Sequence, residues 1–569
     1  SNSMFKDATF RICSQLSARY GQHPALAGWL LGHGYTFVEE QVIQSLVLHQ
    51  TEILPWLRRR YNNDISALKH AWGTHVFENF NEVEISLDNV RCNPVIYSDL
   101  RRYLSDQILA YNALQVSTIA QNSPGRWITH AFTPLPFDYR ATTLSSQFNF
   151  ASLVNYPLAQ TGNTQSWTSC GTSLTAGLQD VLTEEEKIQF CRMGHPDLNS
   201  LGMDFCRSVS ASNRFWIADQ QCGPVSWGRH SPSPKDGSLR LWTWQAWAHG
   251  AEVVSFGCWR RTVKRLNFQH TDGLVHPDNR DANGAKDIRT VQEEMAKLQT
   301  KFLAFRGALS PRSLTRAAIV VDCSATWTFD GASETKGSLD YKKMVFLFYS
   351  VLRSFSIHVD FVESGSSLSD FDLVVAPSLP HLSGKDFEQM STIDTPIIIG
   401  PSTDLGNCTL LSKLLSLRIR SGETFENGWS EALTLWSALG SSVHEVGPWK
   451  ESLEVCHDQA MPKNINIDAA FASDGNPAIV HASNVHYLGC YPTKSILRAY
   501  LRVIVDRYKL CVLPVPDTIR ITQLDGIFVA QNYGGESGQV PLWPGGSAHF
   551  LVGGARIEAR GVSAWVELA

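Results

Sequence analysis

The chain has 569 residues, 43% hydrophobic and 18% charged, an ordinary globular composition that at this length calls for two or three domains. A formal net charge of −5 and a sequence pI near 6.4 give no electrostatic ground for nucleic acid or an anionic membrane as partner. No run approaches the ~20 apolar residues of a bilayer span, and the first residues lack the apolar core of a signal peptide.

In chain order, Asp7 to Tyr20 reads as a helix, and Ala25 to Leu31 as a short buried strand after the breakers Gly21 and Pro24. Gln41 to Tyr61 and Asp99 to Ile119 carry long helical patterns. The run Arg58-Arg59-Arg60 is short enough to be a solvated helix face. Trp127-Ile128-Thr129, Phe148 to Val154, Arg214 to Ala218 and Glu252 to Phe256 are β-branched or aromatic runs of strand length, and Gly237 to His249 and Ala285 to Arg306 are helical. Alternating strands and helices over some three hundred residues predict a parallel α/β barrel.

From about Ser313 the texture changes. Ala317 to Val321, Val359 to Val362, Leu373 to Ala376 and Pro396 to Ile399 predict a small open α/β domain of flavodoxin-like type. It carries no GxGxxG or GxxxxGK[ST] loop, so a nucleotide function has no support. Ala548 to Val552 and Ala564 to Leu568 alternate like strands of a small antiparallel β-domain. The expected boundaries are 1–310, 311–508 and 509–569. Twelve cysteines are scattered from Cys13 to Cys511 without a CxxC pair. They indicate no zinc site, other metal site, cofactor or disulfide frame, and they suggest a reducing, cytoplasmic compartment.

Several ordered strings carry a family likeness. They are Tyr20 to Trp29 (YGQHPALAGW), Trp56 to Thr74 (WLRRRYNNDISALKHAWGT), Asn93-Pro94 with Asp99, and Gly194-His195-Pro196-Asp197. Further strings are Gln220 to Trp227 (QQCGPVSW), Trp242 to Glu252 (WTWQAWAHGAE) and Trp259-Arg260. Through essentially its whole length the chain resembles glycoside hydrolase family 42. The resemblance implies a TIM-type (β/α)8 barrel, an α/β domain that helps form a homotrimer, and a small C-terminal β-domain. It also implies a galactoside or related carbohydrate as ligand and retaining hydrolysis of terminal β-galactosides. That chemistry needs two carboxylates about 5–5.5 Å apart at the C-terminal ends of barrel strands.

The resemblance breaks at those carboxylates. Where the family has an Asn-Glu pair whose Glu is the acid/base, this chain has His33 and Gly34; where it has the nucleophile Glu before Gln-Gln, this chain has Asp219. A positioned general acid contributes about 10²–10⁴ in rate, and glycine carries no proton to give. Asp219 is one methylene short, a retraction of about 1.5 Å, when about 1 Å of misplacement can cost about 10²-fold. Glu39 or Glu40 is the nearest replacement acid by sequence. Asn267 replaces a family Glu while His270 is kept, and Ser226 replaces the Asn before Trp227. Tyr156, Trp227 and His270 are candidate sugar contacts, with His33 and Asn267 at former sugar-facing positions. The expectation is a hydrolytically silent or weakened scaffold that still binds carbohydrate or serves a structural role. The alternative is an active retaining β-galactosidase using Asp219 and a displaced acid. The fourth-strand motif comes only some twenty-five residues into the chain, so the barrel is expected to lack its first strands, through truncation, because another polypeptide completes it, or through a rearranged barrel.

Overall fold

The computed structural model describes residues 3–33, 44, 46–47, 52–132, 140–155, 182–224, 232–257, 259–260, 273–331, 339–405, 409–425, 430–438, 440–455 and 465–569. Five parallel strands form the first sheet in sequential order: β1 (Gly28–His33), β2 (Trp127–Phe132), β3 (Ala151–Asn155), β4 (Phe215–Gln220) and β5 (Ala251–Phe256). Parallel strands covered on both faces read as unbroken buried runs, and β3 (ASLVN) is buried at all five positions. The outer strand β5 is instead exposed at Glu252 and Val253.

Helices α1 (Ser3–Tyr20) and α2 (Pro94–Asn122) pack on each other beside the sheet. Asn93 caps α2 by accepting from the amides of Val95 and Ile96, with Pro94 at the first helical position, where a missing N–H costs nothing. Asp99 in its first turns accepts from Arg60 Nε, Tyr61 Oη and Trp72 Nε1, fastening the Trp56–Thr74 string onto α2. The helical pattern expected over Gln41 to Tyr61 is helical at residues 44, 46 and 47 and at Leu54–Arg60, much of the remainder lying outside the described residues.

Helix α3 (Pro196–Val209) is buried on nearly every face because it lies between β3 and the second sheet. Helices α4 (Ser238–Ala248) and α5 (Asn283–Phe305) follow, packed together, with Trp242 and Trp244 of α4 fully buried.

The second sheet has nine strands. Its parallel part runs β9 (Ile397–Ile399), β8 (Leu373–Ala376), β6 (Arg316–Val321), β7 (His358–Glu363), the open arrangement the sequence predicts, with α6 (Tyr341–Arg353) packed against it. A second half extends it: β16 (Val485–Leu488) joins β9, followed by β15 (Pro477–Ala482), β14 (Asn466–Phe471), β11 (Glu431–Ser437) and β12 (Gly440–Val446), antiparallel to one another. The sequence reading missed this extension because its outer strands carry few buried apolar side chains; in β11 and β12 only Leu433, Leu435 and Val446 are buried. A separate ribbon pairs β10 (Leu417–Thr424) with β13 (Trp449–Val455). Helix α7 (Lys494–Tyr508) leads to the last strands: β17 (Ile519–Leu524), β18 (Ile527–Asn532), β22 (Val562–Leu568) and β20 (Ser547–Val552) form an antiparallel sheet, and β19 (Gly538–Gln539) pairs with β21 (Arg556–Ile557).

Candidate active site

The C-terminal ends of parallel strands are where an α/β barrel presents its chemistry. At that end β4 carries Asp219, which the sequence reading placed at a nucleophile position. The pairing slips on both sides of it. Leu153 pairs with Ile217 but Val154 with Asp219, and Ile217 pairs with Val254 but Gln220 with Phe256. One extra residue in β4 therefore sits at Ala218–Asp219, a bulge of the kind that re-aims a side chain at a site.

Strand β1 repeats the device. Leu30 pairs with Thr129 while His33 pairs with Ala131, so an extra residue precedes His33 and Gly34. Gly32 in that bulge has φ +66°, a left-handed backbone that glycine adopts without strain, and a Cβ there would stand 3.0 Å from His130 Cε1. His130 on β2 is fully buried, hydrogen-bonds the Leu31 carbonyl through Nδ1, and stacks on Phe148. The β1 bulge is thus pinned from the neighbouring strand.

Around Asp219 the packing is close. A Cβ on Gly257, just past β5, would come within 2.1 Å of Asp219 Oδ1, so that carboxylate occupies space a side chain would otherwise fill. Asn155 at the end of β3 donates from Nδ2 to Gln220 Oε1 at 2.8 Å, and its carbonyl accepts from the Gln221 amide at 3.0 Å. The Gly257 amide donates to the Gln220 carbonyl at 3.0 Å, and Cys222 Sγ donates to the Gly257 carbonyl at 2.7 Å. The ends of β3, β4 and β5 are therefore cross-linked at the level of the Gln220-Gln221 pair. Sequence reasoning did not single out Asn155 or Gly257 and met the glutamines only within a family string; no spacing rule reveals such cross-strand bonds.

Immediately beyond β4 opens a cleft of about 210 Å³, lined among others by Cys222, Pro224, Lys235, Asp236, His276 and Asp287. Asp287 accepts from the backbone amides of Gly237, Leu239 and Arg240 at the start of α4. Burial raises its pKa despite those three donors. Trp259 of the Trp-Arg pair is 70% exposed, and Arg260 donates to Asn279 Oδ1 at 2.5 Å.

Of the other sequence-selected positions, His33 is described as the last residue of β1 by its backbone alone. Gly34, Glu39, Glu40, Tyr156, Ser226, Trp227, Asn267 and His270 lie outside the described residues. Of the two positions the sequence reading assigned to the catalytic pair, Asp219 is the one whose surroundings are described.

Comparison with known proteins gives a consistent result. Residues 1–298 match the family model described as β-galactosidase, and residues 315–393 match the one described as β-galactosidase trimerisation domain. A β-galactosidase of Thermus thermophilus is 31% identical over an alignment covering 100% of this chain and 83% of that protein. The β-galactosidase BgaH of Haloferax lucentense is 26% identical, covering 98% and 80%. Among solved structures, a β-galactosidase from the psychrophilic Marinomonas ef1 superposes with a TM-score of 0.84 at 25% identity, over 99% of this chain and 83% of that one.

Proposed function

The chain belongs to glycoside hydrolase family 42, and from that premise we propose that it binds β-galactosides or related carbohydrates at the mouth of its barrel while its hydrolytic step is lost or severely weakened. One observation supports this reading: the bulge at Ala218–Asp219 sets a carboxylate one methylene shorter than glutamate at the end of β4, while the sequence has Gly34 where the family resemblance expects the acid/base.

Retaining hydrolysis requires one group to protonate the leaving oxygen and a second to attack the anomeric carbon. Gly34 offers no proton. The Asp219 carboxylate packs against Gly257, and one methylene fewer draws it back toward β4, away from a sugar carbon that a glutamate would meet. The bonds among Asn155, Gln220, Gln221 and Gly257 serve to hold the mouth in shape for binding. Sugar contacts from His33, Tyr156, Trp227, Asn267 and His270 complete the proposed site.

Residues 1–310, 311–508 and 509–569 are taken as the barrel, the α/β domain and the β-domain, and the match of 315–393 supports a homotrimer assembled through the second. Within the described residues β1 and β5 are the outer strands of the first sheet, and their free edges are where strands of another chain would pair if one completes the barrel.

The test is turnover of a nitrophenyl β-galactoside by the wild-type chain beside Asp219→Ala and the double variant Gly34→Glu/Asp219→Glu, with galactose binding followed by calorimetry. The expected outcome is a wild type that binds sugar without turnover, and a double variant that gains slow hydrolysis. Wild-type turnover abolished by Asp219→Ala would establish a working enzyme with a displaced acid and overturn the silent reading.

A further inference from the structure

In the second sheet, far along the chain from the barrel mouth, three strands bring metal-binding side chains to one point. Asp468 comes from β14, His481 from β15 and His486 from β16. The register accounts for the convergence: His481 is paired directly with His486 across the β15–β16 hairpin and with Asn466 on β14, two residues before Asp468. The two imidazoles stack with centroids 5.1 Å apart. His481 Nδ1 lies 2.8 Å and His486 Nδ1 3.9 Å from the same oxygen, Asp468 Oδ2, and the three ligand atoms all fall within 4.8 Å of one another. Helix α7 closes the cluster with Tyr500, whose hydroxyl donates to Asp468 Oδ2 at 2.7 Å and lies 2.7 Å from His486 Nδ1.

We propose that Asp468 Oδ2, His481 Nδ1 and His486 Nδ1, with the Tyr500 hydroxyl as fourth neighbour, form a binding site for one first-row divalent cation of the zinc class. Two imidazoles and a carboxylate are a donor set suited to Zn²⁺ and Co²⁺. In a tetrahedral site with bonds of about 2.0–2.1 Å, ligand atoms stand about 3.4 Å apart. The 2.8 and 3.9 Å separations bracket that value, so small side-chain rotations suffice.

The outer contacts fit as well. Ligating histidines usually engage their second ring nitrogen, and ligating carboxylates their second oxygen. Here His486 Nε2 faces Tyr508 Oη at 2.9 Å, and that hydroxyl donates onward to the Ser483 carbonyl at 3.3 Å. His481 Nε2 faces Asn466 Nδ2 at 3.3 Å, and Asp468 Oδ1 accepts from Arg507 Nη2 at 3.0 Å. Each imidazole moves its ring proton from Nδ1 to Nε2 when the ion arrives; Asn466 then presents its amide oxygen, and Tyr508 accepts from His486. The Arg507 charge on the far oxygen weakens the carboxylate's attraction for a cation. His486 is fully buried, but the His481 side chain is 13% exposed, and the ion enters on that side. The site joins three strands to α7, so the role it suits is stabilisation of the second domain.

The experiment is Co²⁺ titration of the chelator-treated full chain, read by the visible absorption of four-coordinate Co²⁺, beside His481→Gln and Asp468→Asn. The expected result is one equivalent per chain, bleached by one equivalent of Zn²⁺, with the bands lost in both variants and the Tm of wild type raised by the ion. Absence of bands in wild type at millimolar Co²⁺ overturns the site, and so does undiminished uptake in His481→Gln. If Asp468→Asn fails to fold because Arg507 loses its carboxylate, the wild type and His481→Gln decide the matter between them.

Discussion

At Gly257 the absence of a side chain is what admits the Asp219 carboxylate, and this contact is testable without any turnover. A methyl group at Gly257 meets Asp219 Oδ1 at 2.1 Å, so Gly257→Ala must displace the carboxylate or the strand end, at about 1–3 kcal/mol. In an Asp219→Ala background the obstacle is gone, and the same substitution should cost far less. Urea unfolding of the four proteins of this cycle measures the coupling; equal costs in both backgrounds would show that the two residues do not compete for the space. Asp219 and Gly34 stood out in the sequence because long neighbouring strings carry the family resemblance on either side of them. The bulges in β1 and β4, the Gly32 turn and the Asn155–Gln220 bond were not legible there, because each depends on which residues face each other across strands.

Among the elements, α3 carries two buried carboxylates that bind the parts of the molecule together. Asp197, in its first turn, receives both Arg520 Nε and Nη2 from β17 at 2.7 and 2.6 Å and the Ser350 hydroxyl from α6 at 2.6 Å. Arg520 holds its carboxyl far below the usual range against the opposing effect of burial. Asp204, two turns on, is engaged by Arg207, His249 and Tyr349, and Arg207 continues to Asp360 on β7. Asp197→Ala leaves the Arg520 guanidinium, 4% exposed, without its carboxylate and should cost about 3–5 kcal/mol. Replacing both partners in Asp197→Leu/Arg520→Leu should be milder than the single change, since no unpaired charge is then buried. Denaturant midpoints compare the two. From the sequence, Gly194 to Asp197 stood out as a family string and its amphipathic continuation as a helix. That its polar residues clamp three layers rather than face solvent follows only from its place between β3 and the second sheet.

For the whole molecule, pH acts on the same junction. Burial pushes His195 and His249 down to about 4, outweighing the attraction of Asp197 and Asp204, while Arg520 and Lys494 on one side and Arg353 and Arg207 on the other add to the lowering. A histidine whose folded value lies below its unfolded value of about 6.5 contributes fully above that pH, and its contribution declines as pH falls from about 6.5 to about 4. Each ring should remove about 1.4 kcal/mol per pH unit across that window, with about two protons taken up on unfolding. Calorimetric Tm values between pH 7 and 4.5 should fall accordingly, with a shallower slope in His249→Gln; a flat profile would show that the two rings are not held neutral. Light scattering should give about 190 kDa, three chains of 63.3 kDa, if the second domain assembles as proposed. The sequence by itself determined the family and the barrel-type α/β fold, because ordered strings and local periodicity survive one-dimensional reading. The antiparallel half of the second sheet, the strand-end bulges, the α3 clamp and the meeting of Asp468, His481 and His486 were decided only by tertiary structure, because each is made by register between segments that the chain separates.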